Sequence, residues 1–164
     1  MLDLALRTSR RAYLPADWPT LRGALARGDI DLSLIVCRLT LTAPDGEAWC
    51  IEDAMEPLAL ALCIDAPLRL LQGEDATVDI WNYPGEVRLA HDGQRIGIAT
   101  VPARAAWFDK RELVDAMLDA GRRVVALMRE LHAFDPAYAY RADPHFSERL
   151  EAAMRSRAAR YNGS

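Results

Sequence analysis

Residues 77–101 read TVDIWNYPGEVRLAHDGQRIGIATV, and this stretch decides the fold class. Three runs rich in Val, Ile and Thr are separated by two turn signals, which predicts an antiparallel meander. Thr77–Asn82 is the first strand. It runs into Tyr83-Pro84-Gly85-Glu86, where proline and glycine occupy the central positions that a type II turn favours. Val87–His91 and Arg95–Val101 then flank Asp92-Gly93, a hairpin dipeptide. Side chains alternate along a strand, so Val78, Ile80 and Asn82 share one face and Asp79, Trp81 and Tyr83 the other. If Val78 and Ile80 face the core, the aspartate and the two aromatics look outward. The competing reading has a helix covering that face and the aromatics buried.

Working outward, residues 1–7 alternate Leu2, Leu4 and Leu6 with polar or small residues, as a half-buried strand does. Asp17 offers an N-cap to a short helix with Pro19 in its first turn and Leu21, Ala24 and Leu25 on one face; Gly28 ends it. Residues 31–42 (DLSLIVCRLTLT) read as an interior strand ending at Pro44. Asp45-Gly46 predicts a two-residue hairpin with Glu47–Ile51 returning, which would set Leu41 opposite Cys50. A helix is expected from about Asp53 to Ile64, with Pro57 in its first turns, and a shorter one restarts at Asp65-Ala66-Pro67 and stops at Gly73. On the far side of the meander, Asp109 and Glu112 form a capping-box-like pair. Leu113, Met117, Ala120, Val124, Leu127 and Leu131 trace the apolar stripe of a long helix. A loop with Pro136, Tyr138, Tyr140 and Pro144 leads to a last helix over roughly 145–160, where Phe146, Leu150 and Met154 line one face. The expected fold is α+β: a mainly antiparallel sheet of about five to six strands, packed by a long amphipathic helix and shorter helices. The whole of 1–164 reads as one domain, with a core over 1–132 and a C-terminal helical extension over 133–164.

Charge is distributed unevenly. Residues 43–87 hold ten carboxylates against one base, so three segments (1–42, 43–87, 88–164) carry net charges of +2, −9 and +3 within a total of −4. A concentrated block of one sign attracts a partner of the other. With a sequence pI near 5.4, nucleic acid is not expected as a ligand. The basic cluster Arg149, Arg155, Arg157 and Arg160 is interrupted by Glu148 and Glu151 and reads as a solvated helix face. No apolar run reaches the ~20 residues of a membrane span, and no signal-peptide pattern opens the chain. Cys37, Cys50 and Cys63 read as free, buried thiols, favouring a reducing cytoplasm. His91, His132 and His145 are scattered without metal-ligand spacing. Neither a nucleophile elbow nor a phosphate loop is present, so no cofactor and no enzymatic activity are expected.

Two acidic groups are the candidate partner-binding residues. Glu52, Asp53 and Glu56 fall where the 53–64 helix would begin, and acids there also serve a first turn through its dipole, at ~0.3–1 kcal/mol; paired carboxylates could alternatively do general acid work. Glu74, Asp75, Asp79 and Glu86 surround Trp81 and Tyr83, and exposed aromatics beside carboxylates suit an interface anchor.

In size, α+β organisation, acidic balance, lack of catalytic motifs and the segment Val78–Val87, the chain resembles the small cytosolic immunity proteins that accompany bacterial polymorphic toxins. The resemblance covers organisation over residues 1–132. It implies a protein that docks an acidic face over the basic cleft of a cognate toxin or effector and acts without catalysis. Type III secretion-like chaperones, also small and acidic, are the alternative. They would dimerise through a helix, for which residues 145–160 offer the stripe, but the helical region Ala54–Gly73 falls where another strand belongs.

Overall fold

The computed structural model describes residues 2–8, 11–31, 35–54, 61–80, 85–100, 104–131 and 146–162. They form an α+β fold with two antiparallel sheets. The first sheet contains β1 (Leu2–Arg7), β2 (Ala12–Tyr13), β3 (Val36–Thr42) and β4 (Ala48–Ala54), ordered β2-β1-β3-β4. The second is an uninterrupted meander of β5 (Ala76–Ile80), β6 (Gly85–Asp92), β7 (Arg95–Thr100) and β8 (Arg104–Asp109). The described strands thus divide between two four-stranded sheets instead of forming one sheet of five or six. Two of them escape the sequence pattern. The two-residue β2 is too short for a period, and β8 runs straight into a helix.

Among the described residues four α-helices accompany the sheets: α1 (Trp18–Ala26), α2 (Ala66–Gln72), α3 (Lys110–Leu131) and α4 (Phe146–Asn162). A π-helical stretch, Ala61–Asp65, leads into α2. Gly28 and Gly73 end α1 and α2 in the left-handed region, at φ 73° and 85°. At α2 the Glu74 N–H donates to the Arg69 carbonyl and the Gly73 N–H to that of Leu70, the paired closing bonds of a Schellman turn. Asp17 sits at the N-cap of α1, but its carboxylate accepts the Leu14 N–H and makes no cap bond to the helix. At α3 the cap forms: Asp109 Oδ1 accepts the Glu112 N–H at 3.0 Å.

The stripe Leu113, Met117, Ala120, Val124 and Leu127 is buried as its spacing predicts. It serves both sheets, since α3 packs on β1 and also on β7 and β8. At Gly121, α3 approaches the π-helical stretch so closely that a Cβ would lie 3.0 Å from the Cys63 carbonyl oxygen. The C-terminal helix, read from sequence as an extension, contributes Leu150 and Ala153 to the same buried cluster as the sheets. Met154 packs against that cluster too, so these stripe residues are used within the chain.

In the basic cluster on α4, Arg149, Arg155 and Arg160 are exposed, as a solvated helix face requires, and Arg157 is half-buried. Arg149 pairs with Asp65 at 2.9 Å. Arg157 grips Asp115 of α3 with Nε–Oδ1 2.5 Å and a second bond of 3.0 Å. Both side chains of that bidentate pair are about one-third exposed (34% and 35%), which moderates its strength. Arg157→Met should lower unfolding stability by about 1 kcal/mol. Equal denaturation midpoints for the variant and the parent at low and high salt would show that the pair contributes nothing.

The β3–β4 hairpin differs from its expected form by one residue. The Ala43 N–H donates to the Glu47 carbonyl and the Gly46 N–H to that of Ala43, which closes a three-residue loop, Pro44-Asp45-Gly46, with Gly46 at φ 90°. A type I turn followed by a left-handed glycine is the usual three-residue solution, and proline fits its first corner. The register therefore slips by one and Thr40, instead of Leu41, faces Cys50. A one-residue slip exchanges strand faces. Cys50 is accordingly exposed, while Cys37 and Cys63 are buried as expected. All three are free thiols.

Candidate partner-binding surface

The acids of residues 74–86 lie along the β5–β6 side of the second sheet, Glu74 and Asp75 at one end of that strand pair and Asp79 and Glu86 toward the other. The Schellman turn at Gly73 delivers the chain into β5, placing the exposed Glu74 and Asp75 at the head of that strand. Glu74 returns to Arg69 of α2 at 3.4 Å, and Asp75 Oδ1 accepts the His91 N–H at 2.8 Å. Along β5, Val78 is buried and Asp79 exposed, as alternation predicts. The register sets Asp79 directly opposite Glu86 on β6 and Thr77 opposite Arg88. Like charges directly opposite one another on adjacent strands destabilise the pairing. Arg88 relieves this in part by an ion pair with Glu86, on a side chain two-thirds exposed (67%), where such pairs are weak.

Gly85 and Glu86 belong to β6, paired with Ile80 and Asp79, so they are strand residues and not the last two positions of a turn. Trp81 and Tyr83 lie outside the described residues, as do Glu56 and Pro57 of the helix expected over Asp53–Ile64. Glu52 and Asp53 are not at a helix start. They belong to β4, in register with Arg38 and Cys37, because the return strand of the hairpin continues to Ala54. The first-turn dipole role is thereby removed for both, and their strand is in the other sheet from Asp79 and Glu86.

The exposed tryptophan that the structure does describe is Trp107, at 42% exposure on β8. Its ring lies over Gly97 of β7, whose Cβ, if present, would be 3.1 Å from the indole carbons. The Arg95 guanidinium stacks above it, 5.3 Å from the ring centroid. Sequence reasoning missed this platform because β8 itself was missed. The available signal was the alternation of Ala106 and Phe108 with Ala105 and Trp107.

At the other end of β6, Lys110 is the one buried cationic residue described, at 8% exposure, and its Nζ lies 2.6 Å from His91 Nε2. An ammonium has no lone pair, so in this contact the lysine donates and the imidazole Nε2 accepts. Burial lowers the lysine pKa, with nearby Arg160 adding to the effect. The Lys110 N–H donates to the Gln94 carbonyl, so the β6–β7 turn is pinned to the start of α3 by both main chain and side chain. Among the described residues, no three His, Cys, Asp or Glu side chains are grouped to hold a metal ion. No described helix is long and apolar enough to cross a membrane.

Beside the acidic edge runs an open groove of about 400 Å³, walled by α2 with its π-helical lead-in and by β5. Comparison of the chain with family models, with curated proteins and with solved structures returned no match.

Proposed function

We propose that this chain acts by binding, in the manner of an immunity protein: it docks the acidic β5 edge of its second sheet on a cognate secreted toxin domain and occludes that domain's basic cleft. The observation that carries this reading is the Asp79–Glu86 register pair. Two carboxylates fixed opposite one another cost the isolated fold stability, and a basic partner converts that cost into attraction. Glu74 and Asp75 at the head of β5 extend the same field. Three free cysteines fit a cytoplasmic site of action. The chaperone alternative draws no comparable support, because Leu150 and Met154 of its dimerising stripe pack within the chain.

The direct test is co-expression with the product of a neighbouring toxin gene, with purification through a single tag. Co-purification and rescue of growth are expected; failure of both would sink the reading. The double variant Asp79→Lys/Glu86→Lys should slow association by roughly ten- to a hundredfold at low ionic strength and flatten its salt dependence. Unaltered association kinetics in a folded variant would place the interface elsewhere.

A further inference from the structure

We propose that the partner engages β5 as an added strand, an extended segment whose side chains alternate between small apolar and basic residues. This rests on the binding role proposed above and specifies how the same acidic edge is read. β5 terminates the order β5-β6-β7-β8, so among the described residues its ladder is filled on the β6 side alone. An unfilled strand edge is a template for another chain, with main-chain bonds giving affinity and alternate side chains giving selectivity.

The groove makes this edge receptive. Ala61, Ala66 and Leu68 wall it on the helical side; Ala76, Thr77 and Val78 form the strand side. Small residues on both walls leave room for a backbone and modest apolar side chains. At the rim, Arg149 is paired with Asp65 and Arg69 with Glu74, so these cations are already balanced by carboxylates of the chain. On the outer face the added strand would run beside exposed Thr77 and Asp79, with Glu86 one strand further in. Its inward side chains would enter the groove and its outward ones would meet Asp79, with the Glu86–Arg88 ion pair one strand behind it. That combination selects an alternating apolar and basic segment. A second copy of this chain is the wrong occupant, because edge-to-edge pairing would set Glu74, Asp75 and Asp79 of two molecules alongside each other.

The probe is a short synthetic peptide alternating lysine and valine, followed by fluorescence anisotropy and by hydrogen exchange. Binding is expected, with new amide protection in 76–80. A form N-methylated on alternate backbone nitrogens, and a glutamate–valine analogue, should each bind at least about tenfold more weakly. Ala61→Phe, which fills the groove, and Asp79→Arg should each weaken binding by about tenfold while the circular dichroism spectrum is retained. If one variant misfolds, the other and the N-methylated peptide decide. Equal binding of the N-methylated form, wild-type affinity in Ala61→Phe, or no binding at roughly millimolar peptide would overturn strand addition. A toxin that co-purifies while 76–80 stays unprotected overturns strand addition and leaves the binding role standing; loss of co-purification and growth rescue removes the role itself.

Discussion

Valine in place of Gly121 is expected to lower the unfolding free energy by about 3 kcal/mol. The cause is a contact with main chain, which cannot swing aside as a flexible side chain can. A Cβ at 121 lies 3.0 Å from the Cys63 carbonyl oxygen and 3.3 Å from both Cys63 Cβ and Ile64 Cγ1. Valine adds two methyl groups in a place where even one carbon is crowded. Alanine separates the opposing effects: it gains about 1 kcal/mol of helix propensity over glycine but retains the first collision, so little or no net stabilisation is expected. Urea denaturation of the three proteins measures both differences. A valine variant as stable as the parent would mean that the π-helical stretch yields freely and that the close approach is not a constraint.

The second large effect is loss of stability in alkali. Burial pushes the Cys37 thiol up from 9.0 to about 12, and raises Cys63 well above the same starting value, with Cys37 contributing to the latter. Above pH 9 the unfolded chain releases these protons and the folded chain retains them. A raised folded pKa therefore gives stability that is complete below the unfolded value and is lost as pH rises toward the folded one. The slope approaches about 1.4 kcal/mol per pH unit for each thiol. Tyr161, raised mainly by burial, acts in the same direction above its ordinary value of 10.0. Lys110 acts oppositely: its lowered pKa gives a contribution that increases with pH up to about 10.5. Two buried thiols outweigh one lysine, so denaturation midpoints should drop steeply between pH 9 and pH 11. Cys37→Ala should be weaker at pH 7 through lost packing, yet show a shallower alkaline decline. A flat profile over that range would contradict the burial of both thiols.

What could be read from the sequence follows the range over which each signal acts. Gly28 and Gly73 announce their helix ends because a left-handed backbone is a local demand. The α3 stripe is legible because five positions repeat the same face. Val78 inward and Asp79 outward needed only a period of two. The failures lie where a single residue tips a choice between local alternatives. Pro44 converts the β3–β4 loop from two residues to three and exchanges the environment of Cys50. Asp109 ends β8 and also caps α3, so the strand in front of it was absorbed into the approach to the helix. The Glu52–Glu56 acids looked like one first-turn group because β4 continues past the place where its hydrophobic pattern fades. Contacts between distant positions, such as Lys110 with His91 or Arg157 with Asp115, carry no periodic signature at all.

The burial of Lys110 has a chemical corollary. It is the sole lysine among 20 Lys and Arg residues, the rest being arginine. Reagents that acylate primary amines meet a single, largely buried ε-amine, so side-chain acetylation or isopeptide conjugation at lysine should be slow in the folded state. Cys50, by contrast, offers an exposed thiol on the first sheet while its two counterparts are buried. Maleimide chemistry on the native fold should therefore label one defined position, on a different sheet from the β5 edge. Tethering through that sulfur leaves the acidic strand free for the measurements that would reveal its partner.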